Sequence, residues 1–199
     1  DMNKKIMVFD TETSGLVSKK QTDLSKQPHI IQYAHAIIDT DGKYFDVEEV
    51  KNKLFKIPIK IPKRSMDVHG ITDERIKRKE AIFTEILGIR KKMEEVDFIV
   101  GHNVTFDMNM VWLELSRVGG QEEFIESTRD KLLDTMKVSK QLVQATDKNG
   151  RLKYPRLDEL YVHFFGEDFE NSHDALADVD ATLECFKQLV NENLIDLGL

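Results

Sequence analysis

The sequence predicts an α/β fold in which helices pack on a mixed sheet, and two observations carry that reading. Three strand-like segments come first, at 5–10 (KIMVFD), 29–39 (HIIQYAHAIID) and within 48–57, with the turn signal Asp41-Gly42 between the second and third. After them, segments with helical spacing alternate with another short apolar run, 97–101 (DFIVG).

Taken in order, residues 5–10 form a short apolar run ending in a polar residue, which suits a buried strand. Residues 18–28 form a polar loop longer than a tight hairpin needs. Pro58 and Pro62 interrupt regular structure after the third strand. Thr72 ahead of Asp73-Glu74 marks a helix start. From 81 to 95, Ile82, Phe83, Ile86, Leu87 and Met93 recur at helical spacing. A helix over 106–117 places Phe106, Met110 and Leu113 on one side, and 132–143 and 157–165 read as further helices. The last helix, about 175–192, carries the stripe Leu176, Val179, Leu183, Phe186 and Val190.

A length of 199 residues suits one domain, 1–199, with ample core. Hydrophobic residues at 40% and charged residues at 33% exclude a disordered chain. The apolar runs are too short for a bilayer span, and no signal-peptide apolar region follows the first residues. The single Cys185 excludes an intramolecular disulfide framework and a Cys-rich zinc site. An intracellular, cytoplasmic protein without a membrane partner is therefore expected. The net charge of −7 is unevenly spread. Residues 51–92 hold 13 Lys/Arg against 5 Asp/Glu, residues 129–156 hold 8 against 3, and residues 157–199 hold 1 against 11. An acidic chain with basic stretches can meet a polyanion on one face, although a charge run is ordinarily just solvated surface. The candidates for strand contacts are 58–64 and 148–156, the latter with Tyr154 as a ring on which a base could stack.

The carboxylates are the informative residues. Asp10 and Glu12 flank Thr11 at the end of the first strand, and residues two apart in an extended chain point to one side. Two anions so placed require a cation, a proton or strong hydrogen bonding. Asp107, in His102-Asn103-Val104-Thr105-Phe106-Asp107, falls in the first turn of the helix after the strand that ends at Gly101. In His173-Asp174-Ala175-Leu176-Ala177-Asp178, Ser172 is the expected cap, with His173 at the helix start and Asp178 in its second turn. Each signal alone is ordinary. Together they supply four carboxylates and one histidine at the ends of core elements, which is what two-metal phosphodiester hydrolysis requires.

These three segments, the first being Phe9-Asp10-Thr11-Glu12-Thr13-Ser14-Gly15-Leu16, resemble the exonuclease motifs of the DnaQ-like, or DEDDh, family. Val68-His69-Gly70-Ile71-Thr72-Asp73-Glu74 is similar to a segment of proofreading exonucleases of the polymerase III epsilon type. The resemblance spans 5–189 and implies a ribonuclease-H-like fold, a mixed five-stranded sheet with helices on both faces. It implies Asp10, Glu12, Asp107 and Asp178 as ligands of two divalent cations, Mg²⁺ or Mn²⁺, with His173 as general base. It further implies Leu16 as a wedge at the terminal bases, Thr13, Asn103 and Phe106 lining the terminal nucleotide, and His69 near its base. The implied activity is 3′→5′ removal of nucleoside 5′-monophosphates from single-stranded ends, DNA favoured over RNA, in proofreading or repair, with a DNA polymerase as a candidate partner. An exoribonuclease trimming RNA 3′ ends is the alternative of the same class. A non-catalytic nucleic-acid or polymerase-binding module is the alternative of another, and the five filled positions argue against it.

Overall fold

In the computed structural model of the chain, which describes residues 2–199, the apolar run after Lys5 becomes the middle strand of a five-stranded sheet. The strands are β1 (Lys4–Thr13), β2 (Ile30–Thr40), β3 (Phe45–Leu54), β4 (Phe98–Gly101) and β5 (Leu132–Asp134), arranged β3-β2-β1-β4-β5. β1, β2 and β3 pair antiparallel in succession, whereas β4 runs parallel to β1 and β5 parallel to β4.

The period of two in β1 decides which helix meets which face. Met7 and Phe9 share a core with Ile86, Ile89 and Met93 of α3 (Ile86–Glu95) and Met110, Val111 and Leu113 of α4 (Val104–Arg117). Ile6 and Val8 face the other way, toward Leu160 of α8 (Leu157–Phe165) and Val179, Leu183 and Phe186 of α9 (Ala175–Asn191). Helices therefore cover both faces, as expected. A smaller cluster of Ile31, Ile61, Ile71 and Ile76 seats α1 (Lys63–His69) and α2 (Asp73–Ile76) at the mouth of the sheet. Among the described residues no helix is long and apolar enough to cross a membrane.

Three expectations are corrected. Residues 132–143 are not one helix: Leu132 and Leu133 pair with Ile99 and Val100 as the edge strand β5. Two short helices follow, α6 (Thr135–Val138) and α7 (Lys140–Val143), the first capped by the Asp134 carboxylate. Residues 81–95 break at Glu85 into a 3₁₀ turn and α3, so Ile89 is buried while Phe83 and Leu87 stand 65% and 57% exposed. Pro58 and Pro62 interrupt regular structure after the third strand, as expected, and Pro62 sits at the cap of α1, where its missing N–H costs nothing. The third strand begins at Phe45, because the hairpin ladder closes at Thr40 opposite Phe45 and runs on to Leu54. A short α5 (Phe124–Thr128) between α4 and β5 has no counterpart in the expectations.

Candidate active site

β1 extends three residues beyond its apolar run, and that extension builds the site. Asp10 and Glu12 continue the Ile6–Val8 row toward α9, while Thr11 continues the Met7–Phe9 row toward α4. Each side of the strand meets its own acid. On the α4 side, the Thr11 hydroxyl and backbone N–H donate to Asp107 Oδ1 at 2.6 and 3.2 Å. On the α9 side, the Glu12 and Asp178 carboxylates approach within 4.8 Å, and the His173 backbone N–H donates to Asp178 Oδ1 at 3.1 Å. The His173 ring is exposed, and its ligating atom lies within 4.8 Å of those of Glu12 and Asp178, as theirs do of each other. The five residues singled out in the sequence thus converge.

The electrostatics are those of crowded anions in a dry place. Burial, then Asp107, Asp178 and Glu12, push the Asp10 carboxyl well above the ordinary range. Glu12 is pushed up to about 9, by burial first and then by Asp178 and Asp107. Asp107 rises to about 7 through burial, against the two Thr11 hydrogen bonds that favour its ionised form. Asp178 rises to about 6, again through burial, offset by the His173 N–H. Asp10 Oδ2 is buried with no hydrogen-bond partner. An unpartnered carboxylate oxygen among three other hard oxygen donors fits a divalent cation, in whose absence protons offset the crowding.

Beside the acids opens a cleft of about 670 Å³, whose walls include Thr13, Leu16, Arg64, His69 and Phe106. Leu16 projects into solvent, 79% exposed. His69 accepts from the Ile71 N–H through Nδ1 at 3.0 Å, so its Nε2–H is the donor to the Thr13 carbonyl at 3.2 Å. Burial holds this ring below the ordinary histidine range, consistent with that neutral tautomer. Asn103 lies outside the lining: it takes a left-handed backbone, φ 66°, and its N–H donates to Asp134 at 2.9 Å. The neighbouring His102 is a tie between elements, with Nε2 donating to the Pro155 carbonyl at 2.8 Å and Nδ1 accepting from the Thr135 hydroxyl at 2.9 Å. Of the basic stretches, 58–64 delivers Arg64 to the cleft. In 148–156, Arg156 pairs with Asp158, Lys153 pairs with Glu159, and Lys140 lies 4.8 Å over the Tyr154 ring.

Three positions escaped the sequence reading. Asp174, not Ser172, caps α9, its Oδ2 accepting from the Ala177 N–H at 3.1 Å. The left-handed φ of 67° at His173 turns the chain there, which leaves Asp174 as the last residue before the helix. An aspartate preceding a helix was signal enough to find it. The second and third are Thr11 and Gln32, whose partners lie far away in sequence.

Solved structures of similar fold include exonucleases. Escherichia coli exonuclease I in complex with a dT13 oligonucleotide is 22% identical with a TM-score of 0.72, over 94% of this chain and 41% of that one. The zinc-bound form of the E. coli ExoI–single-stranded DNA complex is 21% identical with a TM-score of 0.73, over 95% and 41%. Exonuclease I from Methylocaldum szegediense is 21% identical with a TM-score of 0.71, over 94% and 40%. The chain thus spans about two-fifths of the length of these relatives. No curated protein sequence matches it. The family model for exonucleases of the RNase T type matches residues 7–186, nearly the whole chain, and the protein belongs to that exonuclease family.

Proposed function

We propose that this chain removes nucleotides from the 3′ end of single-stranded nucleic acid, DNA in preference to RNA, and releases nucleoside 5′-monophosphates. The observation that carries the reading is the convergence of Asp10, Glu12, Asp107 and Asp178 from β1, α4 and α9, with Asp10 Oδ2 buried and unpartnered. These four carboxylates would hold two divalent cations, Mg²⁺ or Mn²⁺, which when bound activate water and neutralise charge at the scissile phosphate. His173, exposed beside Glu12 and Asp178, takes the proton of the attacking water. Leu16 and Phe106 hold the terminal nucleotide, Thr13 and His69 fix the near wall, and Arg64 meets a phosphate. Asn103 contributes through the turn it forms with Asp134 ahead of α4.

DNA is favoured because the exonuclease I structures of this fold were solved with dT13 and single-stranded DNA, and because Val68 to Glu74 is similar to the segment of proofreaders. Work beside a DNA polymerase, in proofreading or repair, rests on that segment alone. Residues 1–199 act in this reading as one exonuclease domain inside the cell, in the cytoplasm, and the free buried Cys185 suits a reducing compartment.

Digestion of matched DNA and RNA oligonucleotides, with chromatography of the products, tests the substrate and the bond broken. Faster release of deoxynucleoside 5′-monophosphates is expected. Products carrying 3′-phosphate, or faster digestion of RNA, would overturn those parts of the reading. His173→Ala should lower kcat by ~10²–10⁴-fold, the range of a lost general base, with KM and strand binding within about threefold of wild type. A loss that appears in binding instead would remove His173 from the proton transfer.

A further inference from the structure

We propose that Gln32 is a positioning residue that sets the start of α9, and through it the placement of His173 and Asp178 against Glu12. This rests on the exonuclease reading for its kinetic consequence, although its geometry does not. Gln32 lies on β2 directly opposite Glu12 in the β1–β2 ladder and is 3% exposed. Its carboxamide is fully engaged. Oε1 accepts from the Ala175 N–H at 3.0 Å, and Nε2 donates to Asp174 Oδ1 at 3.0 Å and to Asn52 Oδ1 at 2.9 Å.

The partners fix which end of the amide is which. A backbone N–H needs the oxygen, and a carboxylate needs the nitrogen. Ala175 is the first residue of α9 and Asp174 its cap, so Gln32 grips both groups that define where the helix begins. The Asp174 carboxylate divides its oxygens between the two duties, Oδ1 to Gln32 and Oδ2 to the Ala177 N–H. One residue before this clamp is His173, and one helical turn after it is Asp178, the two tied by the 3.1 Å bond from the His173 N–H.

The result is a short rigid path from β3 (Asn52) through β2 (Gln32) to the α9 start. It holds an exposed, left-handed residue, His173, at a fixed height over the strand that carries Glu12. Glu12 and Gln32 share a rung of the ladder, so the strand acid and the helix acid are referenced to the same point. Without the clamp, the start of α9 is held by its own cap, by local bonds such as that from the His173 N–H, and by apolar packing, none of which ties it to β2 by a polar contact. A helix sliding by a fraction of an ångström would separate Asp178 from Glu12 while leaving the core intact. Groups that orient ligating side chains in this way typically carry 10–100-fold of activity or ion affinity.

The test uses a charge-conserving swap. Gln32→Glu places an acceptor where Asp174 requires a donor, and should lower kcat by ~10–100-fold on labelled single-stranded DNA and weaken Mn²⁺ binding by a similar factor, with KM little changed. Asp174→Asn alone leaves one oxygen for two duties, so that with the Ala177 N–H still capped an NH₂ meets the Gln32 nitrogen, and it should do the same to a smaller degree. Combining Gln32→Glu with Asp174→Asn restores one donor and one acceptor with polarity reversed, and the Asn52 amide turns to donate in its place; kcat and Mn²⁺ affinity should return to within about threefold of wild type. Thermal melting of all variants separates positioning from folding, since the expected losses appear well below the melting temperature. Single variants with wild-type kcat and Mn²⁺ affinity, a double variant without recovery, or losses that simply follow the melting temperature would each overturn the proposal. If the wild-type protein hydrolyses nothing, the exonuclease reading fails and the Mn²⁺ affinities still decide the role of Gln32.

Discussion

Replacing Asp10 by alanine should reduce hydrolysis by at least ~10³-fold and at the same time raise the melting temperature of the metal-free protein. The two effects have one cause. Asp10 is buried at the centre of the cluster, faces Asp107, Asp178 and Glu12, and leaves one carboxylate oxygen without a partner. That arrangement destabilises the fold by about 1–3 kcal/mol for the unpartnered oxygen alone, and removing it relieves repulsion on three neighbours as well. At about 2–4 °C per kcal/mol for a chain of this size, the gain is readable by calorimetry. A purely structural carboxylate would behave in the opposite way, with stability lost on substitution. Loss of both activity and stability in Asp10→Ala would therefore mean that the cluster is built for the fold rather than for a cation.

The metal-free protein should also lose stability as pH rises from 7 to 9. Glu12 is pushed up to about 9 and Asp107 to about 7, each above its ordinary value of 4.5 and 3.8. A carboxyl raised in the folded state binds its proton more tightly there than in the unfolded chain. Its contribution is fully present below the unfolded pKa and is lost as pH climbs through the folded one. Four histidines oppose this little: burial draws His29 down to about 4 and holds His35, His69 and His102 low, so they are neutral in both states across this window. Two pH units acting on one such group amount to ~2 kcal/mol, or ~4–8 °C in melting temperature. Saturating Mg²⁺ or Mn²⁺ should flatten the slope, because the cation takes the place of the protons. Melting temperatures that are level or rising from pH 7 to 9 without metal would contradict the crowded-anion description.

Much of this was legible from the chain because the informative features are local. The apolar run before Asp10 announces a buried strand, and a strand carries its own rule for which residues share a face. The last helix declares itself through Val179, Leu183 and Phe186, all three buried on the sheet. What failed is equally physical. β5 is three residues long, too short for a period of two to show, and Leu132, Leu133, Met136 and Val138 imitate a helical stripe across its junction with α6. Phe83 and Leu87 match the spacing of a buried face, but the break at Glu85 rotates them into solvent. In the site, the acids were visible because charge at the end of an apolar element is unusual at any range. The residues that hold them were not. Thr11 meets Asp107 across 96 positions and Gln32 meets Asp174 across 142, contacts that only the assembled sheet creates.

In the proposed function the buried carboxylate cluster is a cation-dependent site of hydrolysis at 3′ ends. A gel time course on 5′-labelled single-stranded DNA, run with Mg²⁺ or Mn²⁺, with chelator, and with Asp10→Ala, tests it most directly. A ladder shortening by one nucleotide at a time from the 3′ end, abolished by chelator and by the substitution, is the predicted result. Full-length substrate persisting with folded wild-type protein and metal present, or a ladder that survives in Asp10→Ala, would contradict it.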